Sequence, residues 1–147
     1  MNQADLRKMA DERLLDAKAL LDGGRWEFAY YAAGYAIECA LKSCLLARMI
    51  YTGWVFQEKI KPDECLTHDF GKLVQLAGLT DELNNKLKAS AAAGGPAGAA
   101  FAKHWTIVIL WKVTSRYEAK TQLEAEILYN AITHDPDGVL RWIKNYW

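Results

Sequence analysis

The chain has 147 residues, of which 52% are hydrophobic and 24% charged, and its 18 lysines and arginines balance 18 aspartates and glutamates. That length suits one ordinary core, and the composition excludes an intrinsically disordered chain. The charge balance excludes a strong overall field that would draw in a polyanion, so nucleic-acid binding here requires a local basic patch.

In chain order, Leu6, Met9, Ala10, Leu14, Ala17 and Leu21 follow the 3–4 spacing of one helical face while charged residues fill the rest, which predicts an amphipathic helix over 4–21. The DGG sequence at 22–24 ends it, because glycine enters the left-handed conformation at little steric cost. The next segment, 25–49, is apolar on nearly every side and rich in alanine. Trp26, Tyr30, Ala33, Ile37, Ala40, Leu41 and Cys44 form one stripe, and the segment predicts a central helix that its neighbours approach closely. Periodicity breaks over 51–66, which reads as a long connection with Trp54, Val55 and Phe56 folded back on the bundle. A short helix follows near 69–77, and another begins at LTDEL with Thr80 as N-cap. The low-complexity stretch KASAAAGGPAGAAF cannot continue a helix through Gly94-Gly95-Pro96, and it lacks the Gly-Lys-Ser/Thr ending of a phosphate loop. The run WTIVILW at 105–111 suits a strand or a helix by itself; its helical context predicts a helix over 99–111. A further helix is expected over 121–133, then a last one with Asp135 as N-cap and Pro136 in its first turn.

No apolar run reaches the roughly 18–20 residues of a membrane span, since the stretch 28–49 is interrupted by Glu38, Lys42 and Arg48. The opening MNQADLRKMADERLL lacks the apolar centre of a secretory signal, so a soluble, cytoplasmic protein is expected. Cys39, Cys44 and Cys65 are odd in number and form no C-x-x-C pair, arguing against a disulfide framework or a zinc site.

Three pieces recur in a telling order: LLDGGRWEFAYYAAGYAIECALKSCL, with Ala36, Glu38, Ala40, Leu41 and Lys42 as an A-x-E-x-A-L-K core; THDFGKL, with His68-Asp69 and Leu73; and SRYE ahead of a final helix pair. The assembled pattern resembles the HEPN domain family over most of the chain. The resemblance implies an all-α, up-and-down bundle of about five helices with a long loop after helix 2, a single HEPN-like domain over 1–147, and a homodimer. It also implies a prokaryotic toxin–antitoxin or defence setting, with a nucleotidyltransferase as partner protein. The ribonuclease branch of that family carries an R-x(4–6)-H motif, and no arginine here has a histidine at the required distance.

Glu38 and Lys42 stand four apart with the acid first, the favourable order for a helix ion pair. On a buried helix such a pair needs further partners or a wet cleft, because an uncompensated buried charge is expensive. His68 can act as acid or base near neutral pH, or simply pack beside a helix capped by Thr67 or Asp69. Arg116 and Tyr117 combine a planar cation with an aromatic ring, a pairing that grips phosphate and stacks a base; equally, Arg116 could pair with Glu38. His104 and His134, with no paired spacing to His68, read as structural and give no support for a metal. The expected polar cluster is therefore Glu38, Lys42, His68, Asp69, Arg116 and Tyr117, serving either to bind a ligand or to brace the bundle. No catalytic residue, metal or cofactor is assigned. The expected function is a non-catalytic interaction and nucleotide-binding module that accepts a nucleotide or RNA; the alternative is a divergent metal-independent ribonuclease with His68 or His104 replacing the motif histidine.

Overall fold

Asn2 starts the first helix by accepting the Asp5 backbone N–H at 2.9 Å, while the Asp5 carboxylate accepts the Asn2 N–H at 2.9 Å, so two otherwise unpaired donors are satisfied at once. The computed structural model describes residues 1–52, 62–95 and 98–147. Its α-helices are α1 (Gln3–Asp22), α2 (Trp26–Thr52), α3 (Phe70–Leu76), α4 (Thr80–Ala92), α5 (Ala100–Val108), α6 (Gln122–Thr133) and α7 (Val139–Ile143). Two 3₁₀ turns, Pro62–Leu66 and Val113–Tyr117, punctuate the connections, and no strand occurs among the described residues. The fold is all-α, and the five helices longer than α3 and α7 make the bundle.

Helix α2 is the axis. It packs most extensively along α1 and also meets α3, α6, α7 and the second 3₁₀ turn. Ala29, Ala33, Ala36 and Ala40 are buried on it, and the small side chains allow the neighbouring backbones to close in. Ile37, Leu41, Leu73, Leu128 and Ile132 fill the resulting core with Phe101 and Trp105. No helix among the described residues is long and apolar enough to cross a membrane.

Segment 105–111 resolves as a helix that stops early. Phe101, Trp105 and Val108 bury one face at helical spacing, α5 ends at Val108, and Ile109 and Leu110 remain exposed before Trp111 turns back into the core. Two expected caps are corrected. Thr80 is the first residue of α4, whose N-cap position is Leu79 without a side-chain bond, because the Leu83 N–H that a Thr80 cap could take already bonds the Leu79 carbonyl at 2.9 Å. Asp135 does not cap α7: the helix starts after Gly138, whose N–H binds the His134 carbonyl, and Asp135 pairs instead with Arg141 at 2.6 Å. The expected placement of Trp54, Val55 and Phe56 lies outside the described residues, as does Pro96.

Candidate functional site

Tyr31, Tyr35, Glu38 and Lys42 fall at i, i+4, i+7 and i+11 on α2, a spacing that puts all four on one face. Gly34 lies beside them, and its missing side chain is what lets the indole of Trp111 settle on the helix: a Cβ there would stand 2.2 Å from the ring. Trp111 in turn stacks on Phe70, with ring centroids 5.1 Å apart and planes within 4°. Phe70 opens α3, so this chain of contacts fixes the start of that helix against the middle of α2. His68, two residues earlier, is thereby brought to Glu38.

The Glu38 side chain is only 2% exposed. It accepts Lys42 Nζ at 2.7 Å, and its two oxygens each lie 2.9 Å from His68 Nδ1. A carboxylate taking an ammonium proton has only lone pairs to offer the ring, so Nδ1 carries the hydrogen and donates it. Nε2 is then the ring nitrogen left for a ligand. This arrangement answers how α2 tolerates a buried charge: the carboxylate has a cation from its own helix and a second donor from thirty residues away.

His68, half exposed, lines a cleft of about 270 Å³ together with Asp69, Phe70, Trp111, Lys112 and Thr114. Asp69 is the N-cap of α3, its carboxylate accepting the Lys72 N–H at 2.7 Å, and Thr67 Oγ1 accepts the Asp69 N–H at 3.1 Å. Asp69 therefore borders the cleft while its carboxylate is engaged in holding the helix start.

Arg116 and Tyr117 fall elsewhere. Both are exposed on the second 3₁₀ turn, with the guanidinium 4.8 Å from the centroid of the Tyr117 ring. The pKa of Arg116 is pushed up, chiefly by Tyr117 and also by Tyr31, which places this pair at the Tyr31 end of the α2 face. The carboxylate of Glu38 is thus met by the side chains of Lys42 and His68 rather than by Arg116. The six expected residues divide into a joined trio (Glu38, Lys42 and His68), an adjoining cap (Asp69) and a separate exposed pair.

His104 and His134 remain apart from this site and hold a turn. His104 Nδ1 donates to the Asp137 carbonyl at 2.8 Å, the Asp137 N–H meets His134 Nδ1 at 3.3 Å, and the two rings lie 4.8 Å apart. Among the described residues no group of three His, Cys, Asp or Glu side chains is placed to hold a metal ion. Cys39 and Cys44 are buried, and burial pushes their thiols up to about 11 and about 12, respectively; for Cys39 the neighbouring Glu38 charge adds to the effect. Such thiols are poor nucleophiles at neutral pH.

Sequence reasoning passed over Tyr31, Tyr35, Trp111 and Lys112 as parts of this region. The i, i+4, i+7, i+11 spacing on α2 was the available signal for the two tyrosines; nothing local marks Trp111 or Lys112, which arrive by tertiary packing.

The structure is an α-helical bundle with a buried acid at the centre of its axial helix, bound by a lysine from the same helix and a histidine from just before the next. The HEPN domain family matches residues 3–92, which covers α1 to α4 and more than half of the chain, and the protein belongs to that family. HEPN domains are associated with nucleotide or RNA binding and with toxin or defence roles, and they commonly dimerise. Comparison with curated proteins and with solved structures gave no match.

Proposed function

We propose that this HEPN protein is a dimeric, non-catalytic binding module of a two-component toxin–antitoxin or defence system, with a nucleotidyltransferase as its partner protein. Its polar cleft accepts a nucleotide or an RNA end. The observation that carries this reading is the Glu38–Lys42–His68 trio beside an open cleft: its internal bonds are complete, yet it leaves His68 Nε2 at the cleft to accept a ribose hydroxyl or base N–H, with Lys112 beside it to donate to phosphate oxygens. The lack of an R-x(4–6)-H spacing supports binding without cleavage. Titration of fluorescently labelled single-stranded RNA and of nucleotides against the full chain tests it. Binding that weakens in Lys112→Ala, with the RNA recovered intact, is the expected result; failure of the wild-type chain to bind any of them would sink it.

One observation favours a second reading, the divergent metal-independent ribonuclease. A buried carboxylate orienting Nδ1 and leaving Nε2 free is the arrangement that prepares an imidazole for proton transfer. His68 Nε2 would take the proton of a ribose 2′-hydroxyl as its oxygen attacks the adjacent phosphorus. The bond from phosphorus to the 5′-oxygen then breaks, and the departing oxygen takes up a proton to leave a 2′,3′-cyclic phosphate and a 5′-hydroxyl. Cleavage by purified protein that disappears in a folded His68→Ala variant would establish this reading over the first.

A further inference from the structure

The face of α2 that carries Glu38 and Lys42 continues toward the helix start as Tyr31 and Tyr35, and these two rings are nearly parallel, 7° apart in plane with centroids 6.0 Å apart. Both line a groove of about 550 Å³ between α1 and α2, with Phe28, half exposed, on the same wall. A cavity of that size and aromatic lining suits one flat heterocycle. Its polar residues are Arg13 and Asp16, an ion pair on one turn of α1 with Nε and Oδ2 3.1 Å apart. At the Tyr31 end stands Arg116, an exposed guanidinium with no carboxylate partner among the described residues.

We propose that the α1–α2 groove binds one unpaired base of single-stranded RNA against Tyr31 and Tyr35, with the neighbouring phosphate held by Arg116. The proposal rests on the RNA-binding reading above and assigns it a second contact area. Aromatic side chains stack on any base, while a planar guanidinium grips phosphate through paired donors. From Tyr31 to Lys42 the helix advances about 16 Å at 1.5 Å per residue. A strand entering at Arg116 and following this face therefore reaches the His68 cleft within a few nucleotides. The overall charge balance of the chain matches such a site: the attraction is local, set by Arg116 at one end and by Lys112 at the other, rather than spread over the surface.

The test is fluorescence anisotropy of a labelled single-stranded RNA of about 12 nucleotides, titrated with the full chain at several salt concentrations. The variants are Arg116→Ala, Arg116→Lys and Tyr35→Leu, with the exposed Lys103→Ala on α5 as a charge-matched control, each checked for helicity by circular dichroism. Arg116→Ala is expected to weaken binding about tenfold and to lower the slope of log affinity against log salt by about 0.7, the value of one single-strand phosphate contact. Arg116→Lys restores the slope without the full affinity, Tyr35→Leu weakens binding about tenfold or more with the slope unchanged, and Lys103→Ala changes neither. Because Arg116 is exposed, its substitution tests the groove even where a tyrosine variant fails to fold. Wild-type binding that is unaltered in Arg116→Ala and Tyr35→Leu overturns the groove assignment and leaves the RNA reading standing. Loss of dimer rather than of RNA affinity in Tyr35→Leu also overturns it, since the groove is then a protein interface. No RNA binding by the wild-type chain removes both.

Discussion

His68 Nδ1 lies 2.9 Å from each carboxylate oxygen of Glu38, although thirty residues separate the two in the chain. The contact exists because Gly34 admits Trp111 and Trp111 stacks on Phe70, so the polar trio depends on an aromatic clamp that touches none of its charges. Stability and site geometry are therefore coupled here, and variants of either part report on the other.

Lys42→Met is expected to destabilise the protein more than Glu38→Gln. The first leaves a carboxylate that is 2% exposed with one donor fewer, whereas the second leaves an ammonium that is 23% exposed and can turn to water. Losses of about 3 and about 1–2 kcal/mol are expected, with the double variant recovering part of the sum. Denaturant unfolding of the two single variants and the double variant measures this; strict additivity would show that the pair contributes nothing as a pair.

Gly34→Ala reverses the usual sign of a helical glycine substitution. Alanine would ordinarily gain about 0.5–1 kcal/mol in a helix interior. Here the new Cβ would stand 2.2 Å from the Trp111 indole, so a net loss of about 1–3 kcal/mol is expected. Trp111→Phe in the same chain should relieve part of it, because the buried indole Nε1–H has no hydrogen-bond partner to lose. Melting temperatures of the wild type and the two variants decide the matter, and the His68 proton resonances should move with Gly34→Ala if the clamp positions that ring.

Alkylation should distinguish the thiols. Cys39 and Cys44, pushed up to about 11 and about 12 by burial, stay protonated and shielded at pH 7.5, while Cys65 is partly exposed; its thiol is also raised, first by burial and then by Glu64. Mass spectrometry after brief iodoacetamide treatment should find Cys65 modified first, at a rate that climbs as pH rises. Labelling of all three at equal rates in the native protein would contradict the packing of α2.

Thr121→Ala is expected to cost about 1 kcal/mol through loss of the α6 capping box. The Thr121 backbone N–H and then its hydroxyl hold the Glu124 carboxyl below its ordinary value of 4.5. A depressed folded-state pKa contributes stability that is present above the unfolded value and lost as pH falls through the folded one. The stability gap between wild type and Thr121→Ala should accordingly narrow as pH falls below about 4 without closing, because the Thr121 hydroxyl bond to the Glu124 carboxylate titrates while its bond from the Glu124 N–H does not; a stability series across pH 3 to 7 would reveal this.

Local order fixes what the sequence determined by itself. The 3.6-residue recurrence of apolar side chains placed α1, α2 and α6 to within a few residues, helical context placed α5, and the Glu38–Lys42 pair was legible because both partners share one helix turn. The order of short motifs sufficed for the family, which the match over residues 3–92 shows. Capping was less legible: threonine at 80 and aspartate at 135 are good caps in general, yet neighbouring turns used the relevant backbone groups first. Only the tertiary structure decided which residue joins Glu38. Arg116 and His68 are both plausible partners for a buried carboxylate, and no spacing along the chain separates them. The choice falls to His68 because a glycine on α2 leaves room for one indole, and that indole fixes where α3 begins.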